Sequence, residues 1–463
     1  MTWKKWKQRI FYGATDMGGN LIWQMVGLYL LFYYTTVLNI SAAFVGTLFL
    51  VVRFIDAFDG MFFGYLIDHT KSKYGKSRPY FLWFGVPLGI LAMLLFINPS
   101  FGGNDLFQKI WVSVIYTLFS LVYSGANTPI TAILPSLTKN KEERANLASA
   151  RMVMTNIGTT VIAAITLPII NMLGGQKSET AWMIWGIIIG SVIMLLFFSA
   201  FINLREQPLE ESDNEADQIE GHLSIKESFK GAFKNRPWVI LSISLILIQT
   251  FWVTRMSATV FYVTYVYNAK KVFSLLMAFT ITSVIGNLLV PILAKKFSNR
   301  SIMTGILIAF IIGQVISPLG INSGNVVWIF AGNIISMITM GGVFTLSFVM
   351  IADTVEYSRV VQKIEEPGFL SSIPMVGAKI GMGVGGAVSG WVLAWGGFSA
   401  NATVQSAKAL SAISINFIWI PVLLSIVVIT MMRFYNLDEK QLSAQDTDTA
   451  EANVLKDASI EEV

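Results

Sequence analysis

Residues 43–68 read AFVGTLFLVVRFIDAFDGMFFGYLID. An apolar run of this length crosses a bilayer core of about 30 Å as a helix, yet it carries Arg53, Asp56 and Asp59. Recurring every third residue, the three charges spread over about a third of the helix circumference and share one face. A charge near the bilayer midplane costs at least about 2.5–3.5 kcal/mol, so such residues face a partner or a wet cavity. Two carboxylates beside one arginine make a cation or proton site. The stretch therefore reads as one span of an ion-coupled membrane carrier.

The rest of the composition agrees. Of 463 residues, 54% are hydrophobic and 13% charged, about half of the roughly 25% that a soluble protein carries. No cysteine is present, which excludes disulfides and thiolate metal sites. The two histidines, His69 and His222, fall in hydrophilic loops, against a histidine proton relay within the membrane. The basic start MTWKKWKQRI leads into a long apolar helix with no small-residue cleavage site, so it reads as a retained first span.

Working outward, the chain offers twelve stretches long enough to span: 10–37, 43–67, 80–99, 109–135, 150–173, 181–204, 238–266, 272–296, 301–322, 326–355, 368–397 and 409–433. The expected fold is an all-α polytopic membrane protein of twelve transmembrane helices. The widest polar gap, 205–237, contains the acidic run EESDNEADQIEG and reads as a solvated linker. It separates a six-helix half at 1–204 from a second at 238–435, followed by a polar tail at 436–463. With both termini cytoplasmic, 24 of the 33 Lys and Arg fall on the inner side and 5 on the outer, with 4 inside spans. That bias sets the orientation. It also accounts for the net charge of +5 without invoking nucleic acid. Two six-helix halves joined by a cytoplasmic linker suggest the major facilitator fold, whose substrate site lies near the midplane between halves that rock.

Particular motifs narrow this further. The first span holds Tyr12-Gly13-Ala14-Thr15-Asp16-Met17-Gly18-Gly19-Asn20-Leu21, and the second holds Gly46-Thr47-Leu48-Phe49 and Arg53-Phe54-Ile55-Asp56-Ala57-Phe58. Gly75-Lys76-Ser77-Arg78-Pro79 follows. Tyr123, Asn127, Pro129 and Pro135 mark the fourth span, and Ala150-Arg151 opens the fifth. Asn235-Arg236-Pro237, Ala352-Asp353-Thr354-Val355-Glu356-Tyr357 and Lys379 come later. In this order, from Tyr12 to about Phe398, the chain resembles the glycoside–pentoside–hexuronide:cation symporters, the family of the melibiose, glucuronide and isoprimeverose carriers.

The resemblance implies residue roles. Asp56 matches the family's first cation-binding Asp. The second, four residues on, falls on Gly60, while Asp59 stands one residue earlier, where sodium-using sugar carriers often have Asn. That shift rotates the second carboxylate by about 100°. Sodium wants several oxygens in set positions and a proton needs one carboxylate, so H+ is favoured over Na+ as coupling ion. If sodium is used, Asp56 and Asp59 are its expected metal ligands. Ser124 matches a hydroxyl position near this site. Two sugar-binding acids of the melibiose carriers correspond to Asn20 and Asn127, and a stacking Trp position to Thr131. With two acids lost and Arg151 and Lys379 kept, the pocket suits a hexuronide, while a neutral pentoside or disaccharide fits the amides equally well. The loop after Glu356 lacks the family's usual acidic-then-basic run, and direct control through the lactose-type members' regulatory phosphoacceptor domain is not expected.

Each role has a plainer rival. Asp56 is a cation site or a structural ion pair with Arg53, or with Arg151 or Lys379 from other helices, and Arg53 reads as the partner that keeps the carboxylates ionised. Asp16 binds sugar or bridges helices; Asn20 and Asn127 bind sugar or serve as interhelical glue. Tyr123 stacks on sugar or packs. Arg151 and Lys379 bind sugar or link the cation and sugar sites. Asp68 and Arg78, and in the second half Asp353 and Glu356, read as cytoplasmic gates or as topogenic charge. The small residues of 381–386 permit close helix approach, with no preceding strand for a dinucleotide site.

The reading is a cation-coupled importer of a glycoside, pentoside or hexuronide, working by alternating access from a cell membrane. Its partners are a small sugar and membrane lipid. No cofactor, no nucleic acid and no enzymatic activity are expected, and the chain is expected to be a monomer. A sodium-dependent lipid or amphiphile carrier of the same fold and a non-transporting sugar sensor remain as alternatives.

Overall fold

The computed structural model describes residues 3–99, 104–138, 140–206, 233–268, 272–321, 325–362, 367–400, 402 and 404–437. The core of the expected linker and most of the expected tail lie outside them. Twelve helical runs of membrane-crossing size lie among the described residues. They are α1 (Trp3–Met25, continued by π turns Val26–Leu30 and Tyr33–Val37), α2 (Ala42–Asp68), α3 (Arg78–Leu94) and α4 (Asp105–Ala132). Next come α5 (Lys141–Met172), α6 (Glu179–Asn203), α7 (Arg236–Val266) and α8 (Phe273–Ala294). The last four are α9 (Asn299–Gly320), α10 (Val327–Gln362), α11 (Pro367–Trp395) and α12 (Ala407–Met432). Nine carry a long, nearly charge-free apolar window; the other three are the polar α1, the charged α2 and the short α3.

Helix ends follow local chemistry. Asn104, Asn140, Ser178, Asn235, Ser298 and Ser406 each accept a backbone N–H at a helix start, satisfying donors that have no intrahelical partner. Asn235 thereby explains its motif: it caps α7, and Pro237 fills a first-turn place where a missing N–H costs nothing. Several helices outrun the apolar stretches read from sequence. Expected spans of 150–173 and 326–355 become helices of 32 and 36 residues, because hydropathy marks the bilayer and not the end of hydrogen bonding. The third span differs in another way. It breaks between Trp83 and Gly85, since Pro87 cannot donate to the Trp83 carbonyl, and it stops at Leu94.

The two halves repeat a detail. α1 ends on Tyr33-Tyr34-Thr35-Thr36-Val37-Leu38-Asn39 and α7 on Tyr262-Val263-Thr264-Tyr265-Val266-Tyr267-Asn268. Both close with a π turn, Leu38 N–H to the Tyr33 carbonyl and Tyr267 N–H to the Tyr262 carbonyl. In both, the Asn turns left-handed, at φ 54° and 50°, a conformation Asn tolerates better than most residues.

α1 packs on α5 and α6, α2 on α4, and α9 on α10 and α12. Across the halves α2 lies along α11, α5 touches α8, and the first π turn of α1 meets α7. Gly46 and Gly390 let α2 and α11 touch backbone to backbone: a Cβ on Gly390 would stand 2.4 Å from the Ala42 carbonyl oxygen. Around the end where α1 finishes, one buried cluster joins both halves, with Phe32 edge-on to Phe261 at 5.3 Å. Toward the opposite end the second half keeps its own core of Leu241, Met303, Leu346 and Met432. The halves are welded at one end and separately packed at the other.

Candidate functional site

The three charges of α2 are buried, Arg53 at 8%, Asp56 at 4% and Asp59 at 6% exposure. Arg53 donates to Asp56 Oδ2 at 2.5 Å and lies 4.0 Å from the centroid of the Trp23 ring. Trp23 is also stacked on Tyr123, with centroids 4.9 Å apart. Asp59 turns instead to the other half: its Oδ1 accepts Lys379 Nζ at 3.1 Å, and the same ammonium donates to the Asp56 carbonyl at 2.7 Å. Ser124 and Asp56 stand close enough to act on Asp59. Asp59 Oδ2 is buried without a hydrogen-bond partner, an arrangement that costs free energy unless a proton or cation arrives. The two carboxylates thus share a face, as their spacing requires, but serve two different cations.

A second cluster joins α1, α4 and α5. Asp16 accepts from Arg151 Nε at 3.1 Å and from Thr155 Oγ1 at 2.5 Å, and Arg151 reaches Thr131 at 3.3 Å. Asn20 donates back to the Asp16 carbonyl at 2.9 Å. Asn127 Oδ1 is buried and unpartnered, and a methyl on Gly19 would lie 3.8 Å from it and 3.7 Å from Tyr123.

Two cavities open between the halves. One of about 210 Å³ is walled by Arg53, Tyr116, Gln249 and Met382; the other, of about 400 Å³, by Asn20, Asn156, Arg255 and Asn287. Trp23, Trp252, Met256 and Phe344 line both. The larger is within the range of ligand pockets, about 300–1,000 Å³. Of the expected sugar-binding residues, Asn20 lines this pair of cavities, whereas Asp16, Tyr123, Asn127, Thr131, Arg151 and Lys379 are not among the lining residues. Sequence reasoning left out Trp23, which connects Arg53, Tyr123 and both cavities. An aromatic one turn beyond Asn20, on the same helix, was the available signal.

The expected gates make local contacts, one of them with the start of the expected linker. Backbone N–H groups of Lys76, Ser77 and Arg78 hold the Glu206 carboxylate at 2.9, 2.8 and 2.6 Å, and Arg78 Nε donates to the Phe201 carbonyl. Gly75, at φ +106°, is required there: a Cβ would stand 2.5 Å from the Glu206 carboxyl. Asp353 accepts from Asn299 at 2.8 Å, and Glu356 pairs with Arg359 at 2.6 Å. The Asp68 side chain lies outside the described residues. Among the described residues, the ion pair that crosses between halves is Asp59–Lys379.

A twelve-helix bundle with buried charge pairs around a central cleft defines a polytopic membrane transporter of the major facilitator type. The chain belongs to the family described as MFS/sugar transport protein, whose model matches residues 11–439. It is 35% identical to an isoprimeverose transporter of Lactiplantibacillus pentosus over 98% of this chain and 94% of that one. A putative glycoside/cation symporter of Escherichia coli is 28% identical over 96% of this chain and 95% of its own. Among solved structures, a variant of the nucleoside transporter NupG superposes with a TM-score of 0.66 at 14% identity, covering 92% of this chain and 99% of that one. That last likeness concerns fold alone. The resemblance carried by the motifs therefore extends over nearly the whole chain, to transporters rather than enzymes.

Proposed function

We propose that the chain is a cation-coupled symporter that imports a glycoside, pentoside or hexuronide by alternating access. The observation that carries this reading is Asp59, whose one oxygen holds Lys379 of the other half while the second is buried and unpartnered. A proton or cation arriving there weakens the hold on Lys379 and so alters the contact between α2 and α11. Binding of the ion and movement of the halves are then linked through one side chain. One vacant carboxylate oxygen beside Ser124 suits a proton better than sodium, which needs several oxygens at once.

In this reading residues 1–204 and 238–435 move as two bodies joined by a cytoplasmic linker, with both termini in the cytoplasm. The welded end is then the outer one, and the described state faces inward. The sugar is read by Asn20 at the cavity wall, with Asp16, Asn127 and Arg151 behind it. The isoprimeverose relative favours a glycoside as cargo, and the polar wall formed by Asn20, Asn156 and Asn287 favours it over a lipid.

Uptake by proteoliposomes tests this with labelled glucuronide, xyloside, melibiose and a free hexose under an imposed proton gradient and then a sodium gradient. Proton-driven uptake of a glycoside is expected. Sodium-driven uptake would make Asp56 and Asp59 a metal site. Sugar binding without flux would make the chain a sensor, and no sugar binding would turn attention to amphiphiles.

A further inference from the structure

Arg255 stands on α7 at the wall of the larger cavity, 1% exposed. Its Nε donates to Gln314 Oε1 at 3.1 Å and its Nη2 to Asn333 Oδ1 at 3.0 Å. The guanidinium lies 4.7 Å from the Phe417 ring centroid and 5.9 Å from that of Trp252. The two described hydrogen bonds use two of its five N–H donors. Among the described residues no carboxylate pairs with it. Arg53, Arg151 and Lys379 each have one, Asp56, Asp16 and Asp59 respectively.

The amides that hold Arg255 are themselves held. Pro421 on α12 has no N–H for the Phe417 carbonyl, and Gln314 Nε2 donates to that carbonyl at 2.9 Å. Asn333 Nδ2 donates to the Leu276 carbonyl at 3.0 Å, and Ser336 donates to Gln314 Oε1 at 3.3 Å. Both amide oxygens are therefore fixed toward the guanidinium, and the cation is positioned by four helices using neutral dipoles. A guanidinium stays charged. Buried this deeply it is poorly hydrated, so an anion that reaches it is attracted more strongly than it would be in water. Arg255 is the one formally charged residue among those lining the 400 Å³ cavity. The rest of its polar wall, which includes Asn20, Gln24, Asn156, Thr159 and Asn287, offers neutral hydrogen-bonding groups suited to hydroxyls.

We infer that Arg255 is the counter-charge for an acid group on the substrate, so that this cavity selects glycosides bearing a carboxylate over their neutral counterparts. The inference rests on the glycoside reading above and narrows it. The acid group lies against the second half and the hydroxyls toward Asn20 of the first, so the substrate itself links the halves.

The test uses a matched pair, a glucuronide and the glucoside with the same aglycone, binding to purified full-length protein by calorimetry. Wild type is expected to prefer the glucuronide by roughly 10- to 100-fold, the scale of one charge-assisted contact. Arg255→Gln should bring that ratio near unity, and Arg255→Lys should retain part of it. Should Arg255→Gln fail to fold, Gln314→Glu supplies an internal carboxylate while keeping the arginine, and it too should collapse the ratio. A wild-type protein that binds the glucoside as well as the glucuronide overturns the inference and leaves the glycoside reading intact. A glucuronide preference that survives Arg255→Gln or Gln314→Glu likewise overturns it. Binding of neither probe, with no uptake of any sugar in the panel above, overturns the glycoside reading itself and the inference with it.

Discussion

The two halves carry charge inside the membrane in opposite ways. In the first, Arg53 pairs with Asp56, Arg151 with Asp16, and Asp59 borrows Lys379 from α11. In the second, Arg255 has amides and aromatic faces around it and no acid among the described residues. Paired charges can exchange partners, which is what coupling an ion to a movement needs. A lone charge cannot exchange with anything inside the protein and must wait for a partner from solution. On the proposed reading, the contrast separates a switching region from a recognising one.

The largest effect should come from removing the switch. Asp59→Asn takes away the carboxylate oxygen proposed to receive the proton or cation and weakens the tie to Lys379. Uptake driven by an ion gradient should fall to simple equilibration, with equal sugar inside and out, while exchange of labelled for unlabelled sugar continues. Asp56→Asn should behave alike. Normal accumulation by both variants in proteoliposomes would remove the first half from any part in coupling.

Stability should separate the halves next. Arg151→Ala strands a buried Asp16, a cost of about 2–4 kcal/mol once the partial exposure of Arg151 is allowed for. Asp16→Asn in the same protein should recover part of it. Arg255→Gln removes a cation with no counter-charge among the described residues and should cost less than Arg151→Ala in thermal unfolding. If Arg255→Gln proves the more damaging of the two, Arg255 is structural glue and the contrast fails.

Trp23 sharpens the boundary between the regions, since it carries Arg53 on its ring and lines both cavities. Trp23→Ala forfeits a cation–π contact of about 0.5–2 kcal/mol and a stack of about 0.5–1.5 kcal/mol. Those losses fall on stability. Removing the ring from the wall of both cavities should also weaken sugar binding, by about 10-fold for ~1.4 kcal/mol of lost contact, and Trp23→Phe should restore most of it. Equal binding by wild type and Trp23→Ala in a titration would detach the cavities from α2.

Much of this was legible in the chain. Apolar length marks a span whatever packs around it, so the twelve runs were readable, and Asp56, Asp59 and Lys379 are intramembrane charges that announce themselves. The break in α3 was readable too, from Pro87. The matching ends at Asn39 and Asn268 were open to anyone comparing the two halves. What could not be read was partnership. Which cation Asp59 takes depends on how α2 meets α11, 320 residues away in the chain. Arg255 differs: residues 238–352 and 367–437 hold no Asp or Glu, so its want of an acid from those stretches of its own half was readable, and only the amides that hold it were not. Its mid-span position was signal enough to ask the question.

Gly75 gives a smaller, local test outside the membrane. Gly75→Ala meets strain of about 1–2 kcal/mol from its positive φ and a clash with Glu206. Glu206→Ala should relieve the clash and leave the strain. The pair should therefore be less than additive in melting temperature, and strict additivity would show that the loop and Glu206 do not meet.

The smallest effect belongs to a charge pair at the membrane edge, which serves as the reference for the buried ones. Arg9 grips Glu143 with two bonds of 2.8 Å, joining the starts of α1 and α5. Those hydrogen bonds, with the attraction of Arg9 and Lys5 outweighing burial, hold the Glu143 carboxyl below its usual range. A carboxylate depressed on folding stabilises fully above its unfolded pKa, about 4.3, and loses that contribution as pH falls through the lower folded value. The melting-temperature gap between wild type and Glu143→Gln should therefore be flat from about pH 6 to 8 and shrink below about pH 4. A gap that persists or widens in acid would mean that the pair contributes packing rather than charge. Pairing of charge would then not by itself distinguish the first half from the second.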